Sequence, residues 1–130
     1  MQDAFSRMEL LVGNTGVKKL SRAKIAVFGL GGAGSQVAES LARCGVGSLT
    51  LIDHEKITLT NIGSQVLALH STLGMSKVEA AKKRIRDIDE NIFGAYLRKP
   101  FIMRRLRECL NCVPLIILWI QWEHCRQNCF

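Results

Sequence analysis

Long apolar runs are absent from this 130-residue sequence, in which no stretch approaches the roughly 20 apolar residues that span a bilayer. The first residues also lack the basic and apolar regions of a secretory signal. From these two absences we expect a chain that has no membrane partner and works in the cytoplasm. In such a chain the five cysteines are expected to be thiols rather than disulfides.

Residues 94–130 lack aspartate, serine and threonine, yet they hold four of the five cysteines, both tryptophans and both prolines. They also carry +4 of the formal net charge of +7, so the charge alone does not favour an RNA partner over a solvated surface. This break near Ile92 divides the chain. We predict an N-terminal helical segment over 1–23, a central domain over 24–92 and an aberrant tail of uncertain fold over 93–130.

The central domain begins with the pattern strand, glycine-rich turn, helix, strand. The run KIAVF is short and apolar, as in the buried strands of parallel sheets. The turn GLGGAG follows, the helix over 35–44 ends at a glycine, and SLTLI forms a second strand that Asp53 closes. The pattern predicts an α/β, Rossmann-like βαβ nucleotide-binding fold, with an incomplete parallel sheet and flanking helices.

Two further helices are predicted on either side of this unit. Residues 5–20 predict one or two helices that break near Gly13, with an apolar face formed by Leu10, Leu11, Val17 and Leu20. Residues 76–88 predict an amphipathic helix that begins with a capping box of Ser76 and Glu79.

The glycines of the turn indicate phosphate binding. Gly29 permits the sharp turn from strand to helix, and Gly34 lets the helix pack close to the sheet. Gly31 and Gly32 have no Cβ that would keep a phosphate away from the backbone amides at the helix N-terminus. Asp53, about 20 residues further on, is placed to accept hydrogen bonds from ribose hydroxyls. The motif alone does not distinguish NAD, FAD and ATP.

Four stretches of the chain, GLGGAG, CGVGSLTLID, TLTNIGSQ and LGMSKVEAAKKRI, together resemble one family of ATP-dependent enzymes. They are similar to the adenylating superfamily that includes ThiF, MoeB and the ubiquitin-activating enzymes. Within it, FSRMELLVG and ALHSTLGMSKVEAAKKRIRDI most resemble the tRNA threonylcarbamoyladenosine dehydratases. The resemblance covers about residues 5–92.

The resemblance implies an enzyme that uses ATP and Mg²⁺ to adenylate a carboxylate. In the dehydratases this carboxylate belongs to threonylcarbamoyladenosine next to the tRNA anticodon, and AMP leaves as the side chain closes into a cyclic hydantoin. Adenylation supplies the leaving group that a free carboxylate lacks, and catalysis then depends on holding the phosphates and offsetting their charge. The implied partner is tRNA, and intact relatives are expected to be homodimers.

The resemblance also assigns site residues. Those that it places around ATP and its ribose are Gly29, Gly31, Gly32, Gly34 and Asp53. Asn61 and Gln65 match the polar segment beside the phosphates, and Lys77 matches a lysine that neutralises phosphate charge. From its position alone, Lys77 would be a solvated lysine in a first helical turn. Arg7 matches an arginine that such dimers insert into the partner's site, so Lys77 and Arg7 are the candidate catalytic residues.

The chain departs from the family pattern in two places. Ser64 stands where a phosphate-binding arginine is expected, and serine supplies neither the charge nor the two-pronged donor. The family's two aspartates that help to hold magnesium have no counterpart, because no aspartate follows Asp89. We attribute the second departure to a shifted reading frame after about Ile92, since the adjoining bases of the Trp119 and Ile120 codons spell an aspartate codon. The coding DNA tests this hypothesis, and we expect a chain truncated in this way to be an incomplete or inactive copy.

Three alternatives stay open. The chain could instead be a sulfur-carrier-protein adenylyltransferase of the ThiF or MoeB kind, an NAD-binding oxidoreductase domain, or a non-catalytic nucleotide-binding remnant.

A zinc-like spacing is formed by Cys109, Cys112, His124, Cys125 and Cys129. In a frame-shifted tail that spacing is accidental, so we expect neither zinc nor another metal ligand set there.

Overall fold

The computed structural model describes residues 4–97 and 116–119 of the chain. The α-helices are α1 (Ser6–Arg22), α2 (Gly32–Arg43) and α3 (Lys77–Ile88). The strands are β1 (Lys24–Phe28), β2 (Ser48–Ile52), β3 (Phe93–Leu97) and β4 (Ile116–Trp119). Two short 3₁₀ helices, Leu59–Gly63 and His70–Thr72, lie between β2 and α3. None of the helices in these ranges has the length and apolar character needed to cross a membrane.

The four strands form one parallel sheet in the order β3–β2–β1–β4. The connections through α2 and α3 take the chain from β1 to β2 and on to β3, and β4 then pairs with the other side of β1. In an open parallel sheet, such a reversal creates a crevice at the carboxyl ends of the strands. The predicted α/β fold is confirmed, and the crevice lies where β1 leads into the glycine turn.

The sheet continues beyond Ile92, into the part of the chain for which the sequence left the fold uncertain. β3 pairs in parallel with β2, and β4 pairs in parallel with β1. A short run such as FGAYL has too weak an apolar pattern to separate a strand from a loop, which explains why β3 was missed. The domain boundaries themselves stay a prediction.

Alternate residues of β1 and β2 enter two different parts of the core. One cluster joins the sheet to α2 and α3 and includes Ile25, Val27, Leu49 and Leu51. The other cluster consists of Ala26, Phe28 and Ile52. Successive side chains of a strand point to opposite faces, so β1 is buried on both. This burial is typical of a central strand in a parallel sheet.

The helix α1 confirms the predicted break, because Gly13 has a φ of 72° and a ψ of 167° inside it. Its predicted apolar face is only partly used. Leu20 packs against the core, whereas Leu10 and Leu11 are 87% and 80% exposed. Helical spacing therefore identified an apolar face without showing what that face contacts.

An ion-pair cluster joins α2 to α3. The carboxylate of Glu39 accepts hydrogen bonds from Nε of Arg84, and from Nη2 of Arg43 at 2.9 Å. The hydrogen bond from Arg84, supported by Arg43, holds the pKa of the Glu39 carboxyl below its ordinary value of 4.5. The folded state therefore favours the charged form of Glu39.

The stabilisation from Glu39 is expected to depend on pH. Because the pKa of Glu39 is lower in the folded state, its contribution is complete above pH 4.5 and is lost as the pH falls through the folded value. We expect Glu39→Gln to lower the free energy of unfolding at pH 7 by about 1 kcal/mol or less, since solvent screens Arg84.

Thermal melts of the unchanged chain and of Glu39→Gln between pH 7 and pH 3 provide the measurement. The loss of stability in Glu39→Gln should become smaller below pH 4.5. Glu90→Gln, at an exposed glutamate, is the matched control and should show no comparable deficit. A deficit of equal size at pH 7 and pH 3 would contradict the assignment.

Candidate functional site

The turn after β1 is held by contacts that only glycine permits. Gly29 adopts a φ of 84°, in the left-handed region, and its amide donates to the carbonyl oxygen of Ile52 at 2.9 Å. A Cβ on Gly34 would lie 1.8 Å from the carbonyl oxygen of Gly29. The start of α2 is therefore in direct contact with the end of β1, as the packing role of Gly34 predicted.

Gly31 leaves the N-terminus of α2 open on one side. The helix begins at Gly32, and no side chain caps it. A Cβ on Gly31 would meet no atom of the described residues within 4 Å, so the backbone borders open space there. The free amides of a helix N-terminus and the positive end of its dipole favour an anion. This geometry fits the phosphate groups of a nucleotide.

Asp53 lies beside this turn, at the end of β2. It is 6% exposed, and its Oδ2 accepts a hydrogen bond from the amide of Leu30 at 2.6 Å. Its Oδ1 accepts another from the amide of Glu55 at 2.7 Å. A carboxylate offers about four acceptor positions, so both oxygens retain capacity for further donors such as ribose hydroxyls. The structure thus brings the glycine turn and its acidic partner together.

The loop after β2 approaches the turn from another direction. A Cβ on Gly32 would lie 3.0 Å from the carbonyl oxygen of Ser64, so the two backbones are close. Oδ1 of Asn61 accepts the amide of Thr58 at 3.0 Å and thereby shapes its own loop. Oε1 of Gln65 is buried and has no hydrogen-bond partner within the described part of the chain. Gln65 therefore offers a ligand an acceptor, whereas the Asn61 oxygen is already bonded within the loop.

Lys77 is positioned by a short ladder between residues 55–57 and 74–77. The amide of Ile57 donates to the carbonyl oxygen of Met75 at 2.9 Å, and the amide of Lys77 donates to that of Glu55 at 3.1 Å. The ammonium of Lys77 also forms an ion pair with the Glu55 carboxylate. The Lys77 side chain is only 3% exposed. The expectation of a solvated lysine, which came from its position alone, is therefore wrong.

The capping box predicted for α3 is also wrong. Ser76 precedes the helix, but its side chain makes no capping hydrogen bond. Its Oγ is buried and has no partner among the residues that the structure describes. The start of the helix is instead ordered by the backbone ladder, in which Lys77 pairs with Glu55.

Glu55 is a site residue that the sequence analysis did not single out. Its amide bonds to Asp53 and its carboxylate bonds to Lys77, so it joins the predicted sugar-binding and phosphate-binding groups. The available signal was an acidic residue two positions after Asp53. Its partner is 22 residues further along the chain, so the pairing becomes visible only in the folded molecule.

Arg7 is not brought to these residues. It is exposed on α1, and the ring of nearby Phe5 lies 3.2 Å from the position that a Cβ on Gly45 would take, just beyond the end of α2. The glycine turn lies at the other end of this 12-residue helix, which is about 18 Å long at 1.5 Å per residue. Within one chain, Arg7 is therefore remote from the predicted phosphate site.

A separate cavity of about 420 Å³ lies beside α3. Its lining combines apolar side chains with Lys83, Arg84 and Asp87, and it includes none of the candidate site residues.

Within residues 4–97 and 116–119, no group of three or more His, Cys, Asp or Glu side chains could hold a metal. The zinc-like spacing formed by Cys109, Cys112, His124, Cys125 and Cys129 lies outside the described residues.

Comparison with known proteins identifies relatives of this site. A model of the ThiF family matches residues 5–117. Over 89 residues the chain is 46% identical to the tRNA threonylcarbamoyladenosine dehydratase of Bacillus subtilis (strain 168). The aligned segment covers 68% of this chain and 35% of that protein. Over 77 residues it is 42% identical to the molybdopterin-synthase adenylyltransferase of Haemophilus influenzae, and this segment covers 59% of this chain and 32% of that enzyme.

A solved structure shows the same fold. The crystal structure of Escherichia coli tRNA N6-threonylcarbamoyladenosine dehydratase in complex with ATP superposes with a TM-score of 0.82 and 30% sequence identity. The match covers 88% of this chain and 48% of that chain. This chain thus spans about a third of the length of the curated relatives above and about half of the solved one.

Proposed function

Because the chain belongs to the ThiF family, we propose that it binds ATP at the glycine turn and adenylates a carboxylate. One observation carries the proposal: an open helix N-terminus, a buried acidic residue and a buried lysine converge at one edge of the sheet. Leu30 bonds to Asp53, Asp53 bonds to Glu55, and Glu55 bonds to Lys77. An anion-binding helix end beside a carboxylate and an ammonium suits a nucleotide, whose sugar donates hydrogen bonds and whose phosphates accept them.

The substrate that we propose is the carboxylate of threonylcarbamoyladenosine in tRNA. The proposal is supported by the 46% identity to a dehydratase of that name. A carboxylate oxygen attacks the α-phosphorus of ATP, and the bond to pyrophosphate breaks. A carbamoyl nitrogen of the same side chain then attacks the acyl carbon, its proton passes to water, and the bond to AMP breaks. The reaction needs the phosphate charge to be offset in a fixed arrangement.

Each candidate site residue has a part in this proposal. The amides around Gly31, Gly32 and Gly34 hold phosphate oxygens, and the backbone turn at Gly29 places them. Lys77 neutralises phosphate charge, Asp53 holds the ribose, and the polar loop of Asn61 and Gln65 borders the phosphates. Mg²⁺, when bound with ATP, supplies further positive charge to the triphosphate.

Arg7 is proposed to act in the site of a second copy of the chain. It lies near the end of α2 that is opposite the glycine turn, so it cannot serve the site of its own chain. It is followed on α1 by Leu10 and Leu11, which are exposed and free to pack against another surface. An arginine delivered from a partner would add the charge that Ser64 does not supply.

Isotope exchange between ATP and pyrophosphate tests the proposed function. We expect exchange in the presence of tRNA that carries threonylcarbamoyladenosine, and none with the same tRNA lacking that modification. Exchange with a sulfur-carrier protein that ends in Gly-Gly, but not with tRNA, would establish the adenylyltransferase alternative, which the similarity to the Haemophilus influenzae enzyme supports.

Two other outcomes would overturn the proposal. ATP binding without exchange on either substrate would identify a nucleotide-binding remnant. Tight binding of NADH without ATP would identify an oxidoreductase domain. Fluorescence titrations with both nucleotides separate these cases.

Lys77→Met is expected to reduce tRNA-dependent exchange by roughly 100-fold, since the triphosphate loses a fixed positive charge. Lys83→Met, at an exposed lysine on the same helix, is the matched control and should retain exchange within about twofold. Equal exchange rates for the two variants would contradict the role of Lys77.

A further inference from the structure

Lys77 carries a positive charge that the fold has almost completely removed from water. Its side chain is 3% exposed, whereas that of its partner Glu55 is 52% exposed. A buried ammonium requires an anionic partner, because an unpaired charge in the interior is strongly unfavourable. The carboxylate of Glu55 therefore meets the ammonium at the boundary between the core and the open site.

The contacts that fix Glu55 involve its amide, its carbonyl oxygen and its carboxylate. Its amide donates to Oδ1 of Asp53 at 2.7 Å, its carbonyl oxygen accepts the amide of Lys77 at 3.1 Å, and its carboxylate accepts the Lys77 ammonium. The other carboxylate oxygen of Asp53 accepts the amide of Leu30 in the glycine turn. One residue thus links the turn and the predicted sugar-binding group to the predicted phosphate-binding group.

We propose that Glu55 is a positioning residue that aims the ammonium of Lys77 at the phosphates of a bound nucleotide. This inference rests on the proposed function. An ammonium has three donor hydrogens, so the bond to Glu55 leaves two for phosphate oxygens. The half-exposed carboxylate holds the end of the lysine stem at the open edge of the sheet, where the glycine turn also lies.

Two opposing electrostatic effects decide the sign of this contribution. The negative charge of Glu55 repels phosphate, but the same charge orders a lysine whose four-carbon stem is flexible. Water screens the repulsion because Glu55 is half-exposed. Removal of the carboxylate would leave Lys77 a buried charge without this anion, and the ammonium would turn towards bulk water and away from the phosphates. The ordering effect is therefore the larger one.

The affinity for ATP relative to AMP measures this role. Glu55→Ala is expected to weaken ATP binding about tenfold and Glu55→Gln about threefold, while AMP binding changes less than twofold, because AMP lacks the outer phosphates beside which we place the Lys77 ammonium. Glu79→Ala, which removes an exposed negative charge from the first turn of the same helix, is the control for net charge and should leave the ratio unchanged. If the two Glu55 variants lost affinity for ATP and AMP equally, or if they bound ATP as tightly as the unchanged chain does, the proposal would be overturned.

Chemical labelling of lysines provides a readout that does not need a nucleotide. Acetic anhydride is expected to modify Lys77 slowly in the unchanged chain and several-fold faster in Glu55→Ala and Glu55→Gln, with exposed Lys83 unaffected. Unchanged protection of Lys77 in both variants would show that Glu55 does not position it. Failure of the unchanged chain to bind ATP, together with faster labelling in the variants, would instead remove the proposed function and leave the Glu55–Lys77 contact established without a phosphate to serve.

Discussion

Gly34→Ala is expected to lower the free energy of unfolding by about 3 kcal/mol or more, and thereby to abolish nucleotide binding. The added Cβ would lie 1.8 Å from the carbonyl oxygen of Gly29 and 2.8 Å from its carbonyl carbon. Both atoms belong to the backbone, so no side-chain rotation relieves the overlap. Either α2 moves away from β1 or the turn that presents the amides is rebuilt.

The matched variant Gly31→Ala is expected to fold and yet fail to bind ATP. Gly31 has an extended backbone with a φ of −75° and a ψ of −155°, at the border of the region open to alanine, and its added Cβ would meet no atom of the described residues within 4 Å. Its stability should therefore change by less than about 1 kcal/mol. The same methyl group would occupy the space through which a phosphate reaches the helix amides, so we expect ATP affinity to fall at least about tenfold.

Urea unfolding and ATP titration of the two variants separate packing from binding at positions three residues apart. A stable Gly34→Ala protein would show that the turn is more adaptable than its backbone contact indicates. Normal ATP affinity in Gly31→Ala would show that the nucleotide does not use these amides. Either result would require a different account of the turn.

Asp53→Asn is expected to weaken both folding and sugar recognition. Its two carboxylate oxygens accept the amides of Leu30 and Glu55, at 2.6 and 2.7 Å. An asparagine supplies one acceptor, and its NH₂ group would face the other amide donor to donor. We expect a loss of about 1–3 kcal/mol in the free energy of unfolding, because a buried backbone amide loses its partner.

The sugar-binding role predicts a specific pattern of affinities. The unchanged chain should bind ATP at least about tenfold more tightly than 2′,3′-dideoxy-ATP, since hydrogen bonds from the hydroxyls to a charged group contribute roughly 1.5–3 kcal/mol. Asp53→Asn should bind the two nucleotides with nearly equal affinity. Asp87→Asn, at an exposed aspartate on α3, is the control and should keep the preference. A preference retained in Asp53→Asn would assign the ribose to another residue.

The unit of strand, glycine turn and helix could be predicted from sequence because its signals are local. A strand, a glycine-rich turn and a helix are adjacent in the chain, and each has a residue pattern with a physical cause. The identity of Gly29 follows from a left-handed φ, which favours glycine, and that of Gly34 follows from a backbone contact that leaves no room for a Cβ. Local patterns were insufficient to place β3 and β4 in the sheet, because the strands they pair with lie far away in the sequence.

The roles of charged residues were harder to predict, because burial is a property of the whole fold. Lys77 has the sequence position of a solvated lysine, yet it is buried. A backbone ladder brings to it Glu55, which lies 22 residues away in the sequence. Ser76 fits a capping motif, but its hydroxyl forms no capping bond. The spacing of Leu10 and Leu11 indicates an apolar face, which the chain leaves exposed.

By itself, the amino-acid sequence determined the order of the first elements, the glycine turn and the acidic residue about 20 positions further on, because these depend on steric limits of neighbouring residues. Tertiary structure alone decided that β4 lies on the other side of β1, that Glu55 joins Asp53 to Lys77, and that Arg7 is remote from its own chain's site. These properties depend on contacts between distant segments, and such contacts form only when the parallel sheet assembles and its helices pack upon it.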